Sequence, residues 1–112
     1  MGGTDTQANP QEVLMAAVNA CMSATFVTLA TRQGVELKSL EIHSQGDIDL
    51  RGFLRIDPNV APGYEQMRFT FRVESDADTD QLEQIHQTVR KLSPNYFNMA
   101  TVIQLQSELV TG

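Results

Sequence analysis

Between Glu12 and Arg32 the chain carries no charged side chain. That run limits the fold more than any other stretch, because Val13, Leu14, Met15, Val18, Met22, Phe26, Val27 and Leu29 do not fit on one narrow stripe. A helix that is apolar almost all round belongs in a core, in a subunit interface or in a membrane. Its ends are well marked. Asn9 suits the cap, Pro10 the first helical position, and Glu12 stands at capping-box spacing from Asn9. Arg32 lies in the last turn, and Gly34 accepts the left-handed conformation that stops a helix. The run is about long enough to span a bilayer. Asn19, Ser23, Thr25, Thr28 and Thr31 interrupt it, however, and no basic cluster flanks it to set an orientation. The small residues Ala16, Ala17, Ala20, Ser23 and Ala24 favour another reading, in which a second helix approaches closely. That helix is either a later one in the chain or the same helix of another subunit.

The remainder alternates between strand and helix patterns. Leu40, Ile42, Ile48 and Leu50 are apolar, with Glu41, His43, Asp47 and Asp49 turned the other way, so this is a strand with one wet face. Gly46 suggests a bulge or bend within it. Arg51 to Arg55 continues or ends it. Asp57-Pro58-Asn59 and Pro62-Gly63 bound a loop. Met67, Phe69, Phe71 and Val73 alternate with Arg68, Thr70 and Arg72 in the clearest strand of the chain. A helix capped by Asp78 or Asp80 follows, with Leu82, Ile85, Val89 and Leu92 on one face. Ser93-Pro94 reads as the cap and first position of a further short turn. Val102 to Val110 is strand-like.

A chain of 112 residues fits one domain. The order points to an α+β domain over residues 9–112, whose antiparallel sheet folds against the long buried helix and carries a second, amphipathic one. Residues 1–8 are small and polar and are expected to be loosely ordered. The formal charge of −6 disfavours nucleic acid and anionic membrane surfaces as partners. One cysteine cannot make an intramolecular disulfide, and no Cys/His cluster offers a zinc site. The apolar run starts too late and lacks the basic lead of a signal peptide. A reducing, cytoplasmic setting is the expectation. His43 is expected to face solvent and His86 to border the apolar stripe of its helix. Their separation in sequence argues against a shared metal site.

Asn9-Pro10-Gln11-Glu12-Val13-Leu14 leading into Ala20-Cys21 resembles the cysteine helix of the OsmC-like family, which includes the organic hydroperoxide resistance proteins. Gly46 to Leu54 is similar to the family's next strand. Pro62-Gly63-Tyr64 and Leu92-Ser93-Pro94 fit in the same order. The resemblance runs from about residue 9 to the C-terminus. It implies an intertwined homodimer built on two central helices, with no cofactor and no metal. It also implies thiol peroxidase chemistry, in which one cysteine attacks the peroxide and a second forms a disulfide with it. An arginine and a glutamate hold the reactive thiolate. Cys21 matches the attacking cysteine. Ser93 stands at the resolving position and Gln11 at that of the glutamate, with Glu12 adjacent. The N-terminal arginine has no counterpart. The chain therefore resembles a single-cysteine, serine-proline branch.

Peroxide attack needs a thiolate, and a thiolate needs an electropositive, accessible setting. Arg32, Arg51, Arg55, Arg68, Arg72 and Arg90 are candidates to supply it. A free cysteine also packs well as a small hydrophobe. Ser93 reads as a helix cap before it reads as a nucleophile, and Glu12 as a cap partner before a general base. Three functions stay open at this point. They are a hydroperoxide reductase using an external thiol, a dimeric module holding a small apolar or electrophilic ligand near Cys21, and a structural dimer without chemistry.

Overall fold

The computed structural model describes residues 9–112, and the N-terminal residues 1–8 lie outside them. Helix α1 spans Pro10–Arg32. Asn9 Oδ1 accepts the Gln11 N–H at 2.8 Å, and Pro10 takes the first position. At the far end Gly34 adopts φ +69°. The Gly34 N–H reaches Thr31 O at 3.1 Å and the Val35 N–H reaches Ala30 O at 2.8 Å. These two crossed bonds satisfy carbonyls that a helix end otherwise leaves open.

Strand β1 covers Leu37–Ile48 and pairs antiparallel with β2, Tyr64–Ser75. Leu40 faces Val73, Ile42 faces Phe71, and Ser44 faces Phe69, so the apolar faces of both strands coincide. Gly46 is not a bulge. It pairs in register with Met67, and the nearer of two irregularities falls one step later, between Asp47 and Ile48. The glycine is needed for another reason: a Cβ there would run into the Tyr64 ring and the end of Met15. Leu50 does not extend the strand. Asp49 Oδ1 accepts the Arg51 N–H at 3.0 Å, and this cap starts a one-turn helix, α2, over Leu50–Phe53.

Helix α3 runs Thr79–Leu92, capped by Asp78, whose Oδ1 accepts the Gln81 N–H at 2.8 Å. Helix α4 follows at once, Pro94–Ala100, with Ser93 as its cap. The expected strand Val102 to Val110 does not form. Residues 102–112 hold no regular structure, and Val102, Leu105, Leu109 and Val110 are exposed. A strand needs a neighbouring backbone, and this segment pairs with neither strand of the sheet.

The core joins Val18, Met22, Phe26, Leu29 and Ala30 of α1 to Ile85 and Val89 of α3. Leu40, Ile42, Phe69, Phe71 and Val73 close it from the sheet. Phe26 and Phe71 lie 6.0 Å apart, ring to ring. Burying Phe26, Met22 and Ile85 contributes roughly 1.5–3 kcal/mol each. Within one chain α1 is buried on this stripe alone, and Val13 and Val27 on its other side remain exposed. By length and composition α1 could cross a membrane. Here its Val18–Met22–Phe26 stripe is the centre of the core. The radius of gyration is 17.8 Å, against about 13 Å for a compact domain of this length. That open shape matches the uncovered side of α1 and the exposed tail.

Candidate functional site

Cys21 sits halfway along α1, next to fully buried Met22, and is itself half-buried. What meets it comes from the junction of α3 and α4. Pro94 lacks an N–H and cannot extend α3, so the chain turns at Ser93, whose own N–H still bonds Val89 O at 2.8 Å. The Ser93 side chain is fully buried. Its Oγ accepts the Tyr96 N–H at 3.5 Å and donates to Cys21 Sγ at 3.3 Å. The Asn95 N–H, one of the first donors of α4 and therefore without a helical partner, also points at Cys21 Sγ, at 3.5 Å. The sulfur thus accepts from two donors. No buried side-chain nitrogen or oxygen among the described residues lacks a partner.

Ser93, which stands where the resemblance puts a resolving cysteine, is therefore the side chain that hydrogen-bonds the Cys21 sulfur. Gln11 and Glu12 are not brought there. They lie at the start of α1, and ten residues of helix separate Gln11 from Cys21 by about 15 Å. Both are exposed. The Gln11 carbonyl accepts the Tyr64 hydroxyl at 3.3 Å, and the first turn is capped by Asn9.

No arginine bonds the sulfur among the described residues. Arg51 is held by Asp49 at 2.6 Å and Arg68 by Asp47 at 2.7 Å. The hydrogen bonds from these guanidinium groups hold both carboxyls below their ordinary range. Arg90 comes closest by connection. It donates to the Tyr96 hydroxyl at 3.3 Å, on the same short helix as Asn95. Asn95 is the contact that sequence reasoning missed. It acts through its backbone, so its residue type carries no signal; only the Ser93-Pro94 cap, which frees the next N–H, could have located it.

The histidines lie elsewhere. His43 is exposed and bonds Glu41 Oε1 at 3.0 Å. His86 is half-buried, with its ring 4.7 Å from that of Phe71. Hydrogen bonds from Gln87 and then His86 hold Glu83 below the usual carboxylate range. Among the described residues no three His, Cys, Asp or Glu side chains converge as metal ligands would. A cavity of about 400 Å³ opens beside α4, lined by Tyr64, Met67, Phe69, Tyr96 and Met99 among others. Cys21 does not line it, and Tyr96, next to Asn95, connects the two.

The chain is thus an α+β domain with one thiol on its central helix, touched by the Ser93-Pro94 cap. The family profile described as "OsmC-like protein" matches residues 3–108. The chain belongs to that family, and membership supports a stress-response role of the family's kind. The fold is also that of the OsmC-like protein from Mycoplasma pneumoniae, with a TM-score of 0.79 at 16% identity over 91% of this chain and 69% of that one. An OsmC-like protein of unknown function from Vibrio cholerae O1 biovar eltor superposes with a TM-score of 0.61 at 17% identity, over 85% of this chain. The chain spans 60% of the length of that Vibrio protein. No curated protein matches the sequence.

Proposed function

We propose that this protein reduces organic hydroperoxides through Cys21, using an external thiol as reductant. The observation that carries the reading is the pair of donors, Ser93 O–H and Asn95 N–H, aimed at one sulfur. Donors so placed suit a charged acceptor and later the oxygen of an oxidised one. The Cys21 thiolate attacks the peroxide ROOH. An S–O bond forms, the O–O bond breaks, and with one proton the products are Cys21 sulfenic acid and the alcohol ROH. Ser93 cannot close a disulfide, so an outside dithiol reduces the sulfenic acid, becoming a disulfide and releasing water.

The second part of the reading is a cytoplasmic homodimer paired through the central helices. Exposed Val13, Ala16, Ala17, Ala20, Ala24 and Val27 on α1 support it, as does the uncovered apolar tail. Apolar area of this kind is normally covered in the working assembly.

The test is consumption of cumene hydroperoxide by the purified protein with dithiothreitol. Activity that vanishes in Cys21→Ser supports the reading. Consumption no faster than with dithiothreitol alone overturns it. The cavity beside Tyr96 favours one competing reading, a module that holds a small apolar ligand. It would be stabilised by ligand without turnover.

A further inference from the structure

We propose that the outer face of the sheet, turned away from α1 and Cys21, binds an oxyanion: the phosphate or sulfate group of a small molecule. Phe69, Phe71 and Val73 point into the core, so Arg68, Thr70 and Arg72 project from the opposite face. The register sets Gln45 across from Arg68, His43 across from Thr70, and Glu41 across from Arg72. Between them lies a cavity of about 280 Å³ lined by His43, Gln45, Arg68, Thr70 and Arg72. Each of these side chains offers an N–H or O–H donor, and no carboxylate lines the cavity. The same face also carries Glu41, Asp47 and Glu74, so the cavity is marked by its converging donors and not by a net positive charge.

The neighbouring carboxylates orient the rim. Glu41 Oε1 bonds His43 Nε2 at 3.0 Å, and Asp47 Oδ2 accepts from Arg68 Nη1 at 2.7 Å, with Gln66 Oε1 sharing that donor at 2.8 Å. These contacts fix Arg68 and His43, and Asp47 offsets part of the Arg68 charge. Arg72 differs. Although Glu41 faces it across the strands, no hydrogen bond or ion pair engages its guanidinium among the described residues. Thr70 stands midway, about 7 Å along the strand from each arginine, a span that a guanidinium stem covers. A tetrahedral anion over Thr70 can take the unengaged fork of Arg72, the threonine hydroxyl and the Gln45 amide, while Asp47 already holds Nη1 and Nη2 of Arg68. A flat carboxylate fills a single fork and leaves the other donors unused.

The experiment is calorimetric titration of the whole chain with inorganic phosphate and with phenyl phosphate, at constant ionic strength. Saturable binding is expected, weakened at least tenfold in Arg72→Gln and in the shape-conserving Thr70→Val. It should persist in Arg32→Gln, which removes an exposed charge from the end of α1. Tighter binding of phenyl phosphate assigns a phosphoester, and equal binding assigns the free ion; both support the site. Absence of saturation with either anion overturns it, and so does equal weakening in Arg32→Gln.

Discussion

Ser93 Oγ lies 3.3 Å from Cys21 Sγ, although 72 positions of chain separate the two residues. The contact joins the middle of the first helix to the cap of the last. It makes position 93 a direct probe of the site.

Ser93→Cys should restore a two-cysteine site. Side-chain atoms already in contact need only a small shift to reach bonding distance. We predict an intramolecular disulfide under mild oxidation, read by mass spectrometry and thiol titration. Two free thiols that persist with oxidant present would show that the two backbones are too far apart.

Ser93→Ala should act differently. It removes the cap of α4 and one of the two donors to the sulfur. The cap alone is worth about 0.5–2 kcal/mol. Denaturant unfolding should show a loss in that range, and hydroperoxide consumption should fall by more than the stability change explains. An unchanged rate would separate Ser93 from the chemistry.

Phe26→Ala tests the core. The ring is fully buried against Met22, Ile85 and Phe71. A loss of about 3–5 kcal/mol is expected in chemical denaturation. A loss under ~1 kcal/mol would mean that this stripe is not the centre of the fold.

Acid should weaken the surface of the domain. Asp47, Asp49 and Glu83 sit below their ordinary range in the folded chain, chiefly through hydrogen bonds from Arg68, Arg51 and Gln87 respectively. A depressed folded value adds stability above the unfolded one, and that stability is lost as pH falls through the folded value. The loss should begin near pH 4, where free carboxyls titrate. It should be modest, because Asp47 and Glu83 are exposed and half-buried Asp49 lies at the surface. Thermal melts between pH 7 and pH 3 check the sign, and Asp47→Asn with Asp49→Asn should flatten the slope.

The local parts of this fold were legible in the sequence, and the partner-dependent parts were not. The ends of α1, the alternation of β2 and the Ser93-Pro94 cap each follow from a few neighbouring residues. Burial of α1 on one stripe could not be read, because a helix apolar all round gives periodicity nothing to select. The short helix at Leu50 was hidden because Asp49 alternates like a strand residue while its carboxylate caps the next turn. Val102 to Val110 carries a strand pattern that needs a partner edge. At the site, Cys21 and Ser93 were found by resemblance. The Asn95 donor belongs to the backbone and leaves no trace in residue type. Gln11 and Glu12 were candidates by position alone, and about 15 Å of helix removes them from the thiol of their own chain.

The central claim is that folding makes Cys21 a nucleophile toward peroxides. Its most direct test is the rate at which Cys21 forms a sulfenic acid with stoichiometric cumene hydroperoxide, trapped by dimedone and read by mass spectrometry, in folded and in urea-unfolded protein. The account predicts that the folded chain is oxidised at Cys21 at least tenfold faster than the unfolded one. Equal rates, or a thiol that reacts only after unfolding, would contradict it and leave Cys21 as a packed side chain.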